Sequence, residues 1–162
     1  MLDDAQQQLL LRLSPEPFGG NRADWGMALA QTYALRGDTV KARAYADSAR
    51  VAYEAQVRDV PENGTPHALL GVMLGYLGRQ ADAIREGKRG VYLATKNTRV
   101  VPYVLHQLAR IYILAGEYDK GIDQLEFLLK VPYQLSPGWL RIDPTFAPLR
   151  GNPHFERLVS GS

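Results

Sequence analysis

Apolar and polar positions recur along most of the chain with the spacing of amphipathic helices, and no segment shows the alternation that is typical of a β-strand. A proline preceded by a capping side chain marks four further helix starts, at Thr65-Pro66, Ser136-Pro137, Asp143-Pro144 and Asn152-Pro153. The pattern predicts an all-α fold. The predicted helices are 2–13, 22–36, 39–59, 66–77, 80–94, 99–115 and 118–130, with short turns near 137–140, 144–149 and 153–159.

Three segments share one arrangement of large and small residues. In each, a large apolar residue and a small one are followed by a bulky residue and then by a glycine. The three copies are Leu29-Ala30, Tyr33 and Gly37; Leu70-Gly71, Leu74 and Gly78; and Leu108-Ala109, Tyr112 and Gly116. Because glycine adopts the left-handed conformation without steric cost, each copy predicts a helix, a tight turn and a second helix.

This arrangement resembles the tetratricopeptide repeat, whose first half follows the pattern W-x-x-L-G-x-x-Y. The best copy is His67 to Leu74, although the tryptophan position holds Gly26, His67 and Leu105. The resemblance implies a single domain over 1–162, built as a right-handed helical solenoid of about three helix-turn-helix repeats. Its expected parts are a capping helix and loop at 1–20, repeats at 21–63, 64–97 and 98–133, and a C-terminal cap of short helices at 134–162.

The ends of the chain suggest a larger context. The first helix looks like the second half of a repeat, so it is either a natural cap or the remainder of an excised unit. The segments Leu140 to Pro144, Pro148 to Arg150 and Pro153 to Phe155 resemble the end of repeat regions in large bacterial proteins with kinase, adenylate-cyclase-like or TolB-like modules. This resemblance implies an accessory, regulatory part of a bacterial signalling protein.

The C-terminal segment carries too many large apolar residues for a solvated tail, and its prolines prevent one continuous helix. We expect it to fold back and cover the apolar face of the last repeat. Burial of Trp139 and of Phe155 should then each stabilise the fold by about 3 kcal/mol. The apolar residues in question are Leu135, Trp139, Leu140, Ile142, Phe146, Leu149, Phe155 and Leu158.

Composition narrows the function. The 162 residues carry a formal net charge of +2 with mixed signs along the chain, unlike the concentrated basic stripe of a nucleic-acid binder. There is no cysteine, which excludes disulfides and thiolate metal sites. No apolar run is long enough for a membrane span, and the start lacks a signal-peptide layout. We therefore expect a cytoplasmic protein, or a periplasmic or membrane-tethered one if the chain belongs to a longer protein.

Catalytic and cofactor motifs are missing from the sequence. The three histidines, His67, His106 and His154, lie in different segments, and none has a second ligand at helical spacing. The run Gly87 to Gly90 is basic and glycine-rich, but it lacks the length and the ending of a phosphate loop, so its glycines fit close helix packing better. The sequence therefore predicts no catalytic residue, no metal and no cofactor.

The resemblance implies that a partner binds the concave surface formed by the first helix of each repeat. The positions that match this surface are Met27, Gln31, Val72, Tyr76, Tyr103, His106, Arg110 and Ile113. Most of them are apolar or aromatic, with one firm positive charge, and they do not reproduce the lysine-rich carboxylate clamp of chaperone-binding relatives. The sequence therefore favours a module that docks a protein or peptide in this groove, including another domain of its own parent protein. Two alternatives stay open, a self-association module and an enzyme whose site the sequence does not display.

Overall fold

The computed structural model describes residues 3–160, and this part of the chain contains helices and no strand. The all-α prediction is therefore confirmed. Two short 3-10 helices, Glu16–Phe18 and Pro144–Leu149, accompany the α-helices. In chain order the α-helices are α1 (Asp4–Leu10), α2 (Arg22–Leu35), α3 (Thr39–Asp59), α4 (Gly64–Tyr76), α5 (Gln80–Ala94), α6 (Val101–Leu114), α7 (Tyr118–Leu129), α8 (Pro137–Ile142) and α9 (Pro153–Ser160).

Most helix boundaries lie within two residues of the predicted ones; the end of α1 is three residues early and the start of α4 two residues early, each for a local reason. The prediction placed the end of the first helix at residue 13, whereas α1 ends at Leu10, and the backbone then turns toward Pro15. The predicted start at Leu2 lies outside the described residues. Helix α4 begins before the predicted proline because the side chain of Asn63, not that of Thr65, caps it by accepting from the Thr65 amide.

The three repeat glycines end their helices in the same way. Gly37, Gly78 and Gly116 have φ values of 77°, 79° and 77°, in the left-handed region. In each turn the amide after the glycine donates to the carbonyl of the bulky repeat residue, at 2.9, 2.9 and 2.8 Å. This is the Schellman arrangement, which satisfies the last carbonyls of a helix. The predicted helix-turn-helix units are thus present at all three copies.

The helices pack as neighbours along the chain. Helix α2 packs on α3, α4 on α5 and α6 on α7, and α4 also contacts α3 and α6. The close approach of α4 and α5 depends on small residues: a Cβ on Gly71 would lie 2.8 Å from the carbonyl oxygen of Ala83. A Cβ on Gly90 would likewise meet backbone atoms of Gly64 and Ala68 in α4, whereas a Cβ on Gly87 would meet Ile111 and Leu108 of α6. This agrees with the packing role predicted for the glycines of the Gly87 to Gly90 run.

The C-terminal segment that follows α7, from residue 134 onward, is called the tail below. It folds back onto α6 and α7, as the composition predicted. Leu140, Phe146 and Phe155 are completely or almost completely buried against Ile122 and Leu125. Two other tail residues, Trp139 and Ile142, were expected to be buried as well, but the structure leaves both of them partly exposed.

Trp139 and Ile142 are 43% and 57% exposed. Helix α8 is short and buries one residue, Leu140, so Trp139 and Ile142 lie on sides of the helix that do not face the core. The side chain of Trp139 instead donates from Nε1 to Asp143 Oδ2 at 3.1 Å. The expected burial of Trp139 was therefore wrong, and the stabilisation of about 3 kcal/mol that depended on it is no longer expected. The stabilisation by Phe155 stays a prediction.

Candidate functional site

One groove brings together four of the eight residues predicted from the repeat. Gln31, Tyr76, Arg110 and Ile113 lie around a space of about 380 Å³ between α2, α4, α6 and the 3-10 helix of the tail. This volume is near the lower end of the ~300–1,000 Å³ typical of ligand pockets. We call this space the Arg110 groove. It is lined by Gln31, Ala34, Leu35, Tyr76, Arg110, Ile113, Leu114, Pro144, Thr145 and Pro148.

The tail contributes one wall of the Arg110 groove, which no pattern in the sequence predicted. Pro144, Thr145 and Pro148 belong to the 3-10 helix that follows Asp143. The Asp143 side chain accepts from the Thr145 amide at 2.8 Å and so fixes the start of this helix. Phe146 and Leu149 point into the core, which leaves the two prolines and Thr145 on the side of the groove.

The other four predicted residues lie elsewhere. Val72 is completely buried in the main core, so it is not accessible to a ligand. Met27 packs against the same core, and its sulfur lies 3.6 Å from the Tyr53 hydroxyl. Tyr103 is half-buried between two apolar clusters. Only four of the eight predicted side chains therefore lie together around one groove.

His106 was expected to point into the groove beside Arg110, but the tail encloses it. Its Nδ1 lies 3.0 Å from the Tyr133 hydroxyl, and its ring stacks on Phe146 with centroids 6.0 Å apart. Burial and, less strongly, the positive charge of Arg110 lower the pKa of His106 to about 4, with Asp143 opposing the shift. His106 is therefore a neutral packing residue at pH 7.

This environment predicts a pH dependence of stability. Because the folded-state pKa of His106 is about 4 and the ordinary value is 6.5, the unfolded chain binds the extra proton between these two values. The contribution is fully present above pH 6.5 and is lost as the pH falls toward 4. Between pH 6.5 and 4 the wild type should lose about 3 kcal/mol of stability through this group, and we expect His106→Gln to remove that loss. An NMR titration of the His106 ring should give a midpoint near 4, whereas a midpoint near 6.5 would contradict the buried, neutral ring.

Arg110 lies at the centre of the groove and joins the first and third helix pairs. Its Nη1 donates to Gln107 Oε1 at 2.8 Å. With the Gln31 amide oriented so that its oxygen faces Arg110, this oxygen accepts from Nη2 at 2.6 Å and from Nη1 at 3.1 Å. Gln31 belongs to α2 and Arg110 to α6, so this contact crosses the groove.

Among the described residues, no carboxylate lies within ion-pair distance of Arg110, although Asp24 and Asp143 act on neighbouring groups. Two arginines in the described chain are half-buried, Arg50 and Arg110, and the others are exposed. Arg50 pairs with Asp47 and Glu54 at 2.8 and 2.7 Å. Arg110 forms no ion pair within residues 3–160, and its hydrogen-bond partners there are the two neutral amides. Because a partly desolvated charge is costly without a counter-charge, the groove favours an anionic group at this point.

Three partly or fully buried tyrosines, Tyr53, Tyr103 and Tyr133, lie close enough to Arg110 to feel its charge. Burial raises the pKa of Tyr53, Tyr103 and Tyr133 above the ordinary value. They therefore stay protonated at neutral pH. Tyr53 donates to Asp24 Oδ1 at 2.8 Å, which occupies both groups in a structural contact between α3 and α2. None of these three tyrosines is among the residues that line the Arg110 groove.

The remaining histidines lie outside the groove. His67 is buried, with Nδ1 at 2.8 Å from Glu86 Oε2 and Nε2 at 3.2 Å from the Pro61 carbonyl oxygen. It thus joins α4 to α5 and to the preceding loop. His154 lies 3.4 Å from Glu126. No group of three or more histidine or acidic side chains in residues 3–160 has the geometry of a metal site.

A second hollow of about 400 Å³ lies between the start of α6 and the end of α7. It is lined mainly by apolar residues, including Val101, Pro102 and Phe127, and it is more open than the Arg110 groove. Its one charged residue, Arg99, is exposed, so this hollow lacks the converging polar groups that mark a specific site.

Comparison with known proteins gives no assignment. No protein-family model matches the sequence, and no curated protein matches it at a significant level. Within the part of the chain that the structure describes, none of the helices has the length and apolar character that a bilayer span requires.

Proposed function

We propose that this protein is an interaction module that docks a peptide or protein segment in the Arg110 groove. The proposal rests on one observation. The same groove combines an apolar lining with a half-buried guanidinium that has no ion-pair partner among the described residues. Leu35, Tyr76, Leu114 and Pro148 offer apolar contacts, while Arg110 and Gln31 offer polar ones that can fix the orientation of a bound chain. Segment recognition uses this mixture of apolar anchors and few polar groups.

We infer that the three helix pairs form a tetratricopeptide-type solenoid, which would make α2, α4 and α6 the inner helices. Supporting this are the shared turn geometry at Gly37, Gly78 and Gly116 and the packing of α4 between its neighbours. The proposed role is an accessory, non-catalytic one within a larger bacterial protein. That part of the proposal depends on the resemblance of the tail to the ends of repeat regions in such proteins.

The proposal is tested by selection from a phage-displayed library of random dodecapeptides on the immobilised protein. Synthetic versions of the selected peptides are then titrated against the wild type and against Ala34→Trp, which places an indole in the groove because Ala34 lines it. We expect the groove-filled variant to lose at least about tenfold in affinity, equivalent to about 1.4 kcal/mol.

Ala44→Trp is the matched control, because Ala44 is exposed on α3 and does not line the groove. It should bind the same peptides as tightly as the wild type. Failure to select any peptide whose binding is weakened by Ala34→Trp but not by Ala44→Trp would overturn the proposal. In that case, light scattering that shows a homo-oligomer would favour the self-association alternative.

A further inference from the structure

We propose that the Arg110 groove recognises an acidic side chain, Asp or Glu, that lies beside an apolar residue within a partner's peptide segment. This inference rests on the proposed docking function and adds the chemistry of the ligand. It depends on which donors of the Arg110 guanidinium are already used and which are not.

A guanidinium has five N–H donors arranged as forks. In Arg110, both protons of Nη1 are directed to the oxygens of Gln107 and Gln31, and Nη2 uses one proton on Gln31. The Nε proton and the second Nη2 proton have no partner in residues 3–160. These two donors lie on the same edge of the guanidinium and form a fork that fits the two oxygens of one carboxylate.

The unused edge is accessible rather than enclosed. Every buried side-chain nitrogen or oxygen in the described residues has a hydrogen-bond partner, so the unpartnered Nε of Arg110 must be in contact with solvent. Arg110 lines the groove, and the groove is the open space next to it. The two glutamines hold the guanidinium plane in place, and a fork fixed in this way loses little side-chain entropy when a carboxylate binds.

The other residues that line the groove form the site for the apolar side chain of the bound segment. Ala34, Leu35, Ile113 and Leu114 come from the last turns of α2 and α6, and Pro148 faces them from the tail. The carbonyl ends of these helices carry partial negative charge and disfavour an anion. A bound segment therefore directs its carboxylate toward Arg110 and Gln31 and its apolar side chain toward the helix ends. The available space of about 380 Å³ suits a pair of side chains rather than a folded element.

The test uses the peptide that the dodecapeptide library enriches most, together with a synthetic copy in which its acidic residue is replaced by the corresponding amide. On the wild-type protein, we expect the amide copy to bind about tenfold more weakly, because one charge-assisted bidentate contact is lost. Arg110→Met should weaken the acidic peptide by a similar factor and the amide copy by less than about twofold. Such coupling between the peptide replacement and Arg110→Met would assign the contact of the peptide carboxylate to Arg110.

Arg58→Met is the matched control, because it removes the same charge from an exposed position on α3 that has no hydrogen-bond or ion-pair partner among residues 3–160. It should change the affinity of either peptide by less than about twofold. The wild-type comparison of acid and amide peptides remains decisive even if Arg110→Met fails to fold. Arg110→Lys gives a further check, since it keeps the charge but cannot form the fork, and we expect it to recover only part of the loss.

The outcomes separate the two proposals. If Ala34→Trp abolishes binding but the acidic and amide peptides bind equally, the docking function stands and the acidic-ligand inference is overturned. If no selected peptide depends on the groove, both are overturned. If wild-type protein self-associates and Arg110→Met abolishes that association, the carboxylate comes from a second copy of this chain, which contradicts a peptide partner.

Discussion

Gly90→Ala is expected to destabilise the protein by about 3 kcal/mol, although alanine normally favours a helix over glycine by about 1 kcal/mol. A Cβ at this position would lie 2.7 Å from the Gly64 carbonyl oxygen and 2.9 Å from the Ala68 amide nitrogen. Both are backbone atoms of α4, so no rotamer change relieves the clash. Helices α4 and α5 would have to separate, and α4 contributes most of its residues to the core.

Chemical denaturation with an unchanged m value measures this loss. Gly138→Ala is the matched control, because it makes the same change in the exposed helix α8, where the nearest atom to the added Cβ is Ser136 Oγ at 3.8 Å. The control should be neutral or stabilising by up to about 1 kcal/mol. If both variants were equally stable, the close approach of α4 and α5 would not exist in solution.

Phe155→Ala is expected to cost about 3 to 5 kcal/mol. Phe155 is 1% exposed and lies in the cluster in which α9 and the 3-10 helix cover α6 and α7. Its removal leaves a cavity beneath the tail and also weakens the wall of the Arg110 groove, because Phe146 of the adjoining 3-10 helix packs in the same cluster. The unfolding midpoint should therefore fall well below that of the wild type.

Trp139→Ala is the control for Phe155→Ala, since it deletes a larger aromatic side chain from the same tail. Trp139 is 43% exposed, and its hydrogen bond to Asp143 is at the surface, so we expect a loss below about 1 kcal/mol. A loss from Trp139→Ala as large as that from Phe155→Ala would mean that α8 packs differently from this structure.

The sequence predicted the helices well because their ends carry local signals. The three repeat glycines determine where each first helix stops, and their positive φ values require no long-range information. The start of α4 was placed too late because Asn63 and Thr65 are both good capping residues, and packing decides between them. In the tail, composition predicted burial but could not show which side of a short helix faces the core. Leu140 is therefore buried, while Trp139 is not.

The candidate site was predicted only in part because it depends on contacts between distant segments. The repeat pattern correctly grouped Gln31 and Arg110, whose side chains meet across the groove. It could not show that the tail would stack Phe146 on His106 and so remove that histidine from the open surface. Nor could it show that Pro144 and Pro148 would form a wall. These features follow from how the tail folds back, which leaves no periodic signal in the sequence.

Docking in the Arg110 groove is tested most directly by an amide chemical-shift map of the wild-type protein titrated with the selected acidic peptide. Docking in the Arg110 groove predicts that the largest shifts fall at residues that line it, namely Gln31, Ala34, Tyr76, Ile113 and Thr145. It also predicts a shift of the Arg110 Nε–H resonance that the amide copy of the peptide does not produce. Shifts concentrated instead around Val101 and Phe127, in the hollow between α6 and α7, would contradict docking in the Arg110 groove.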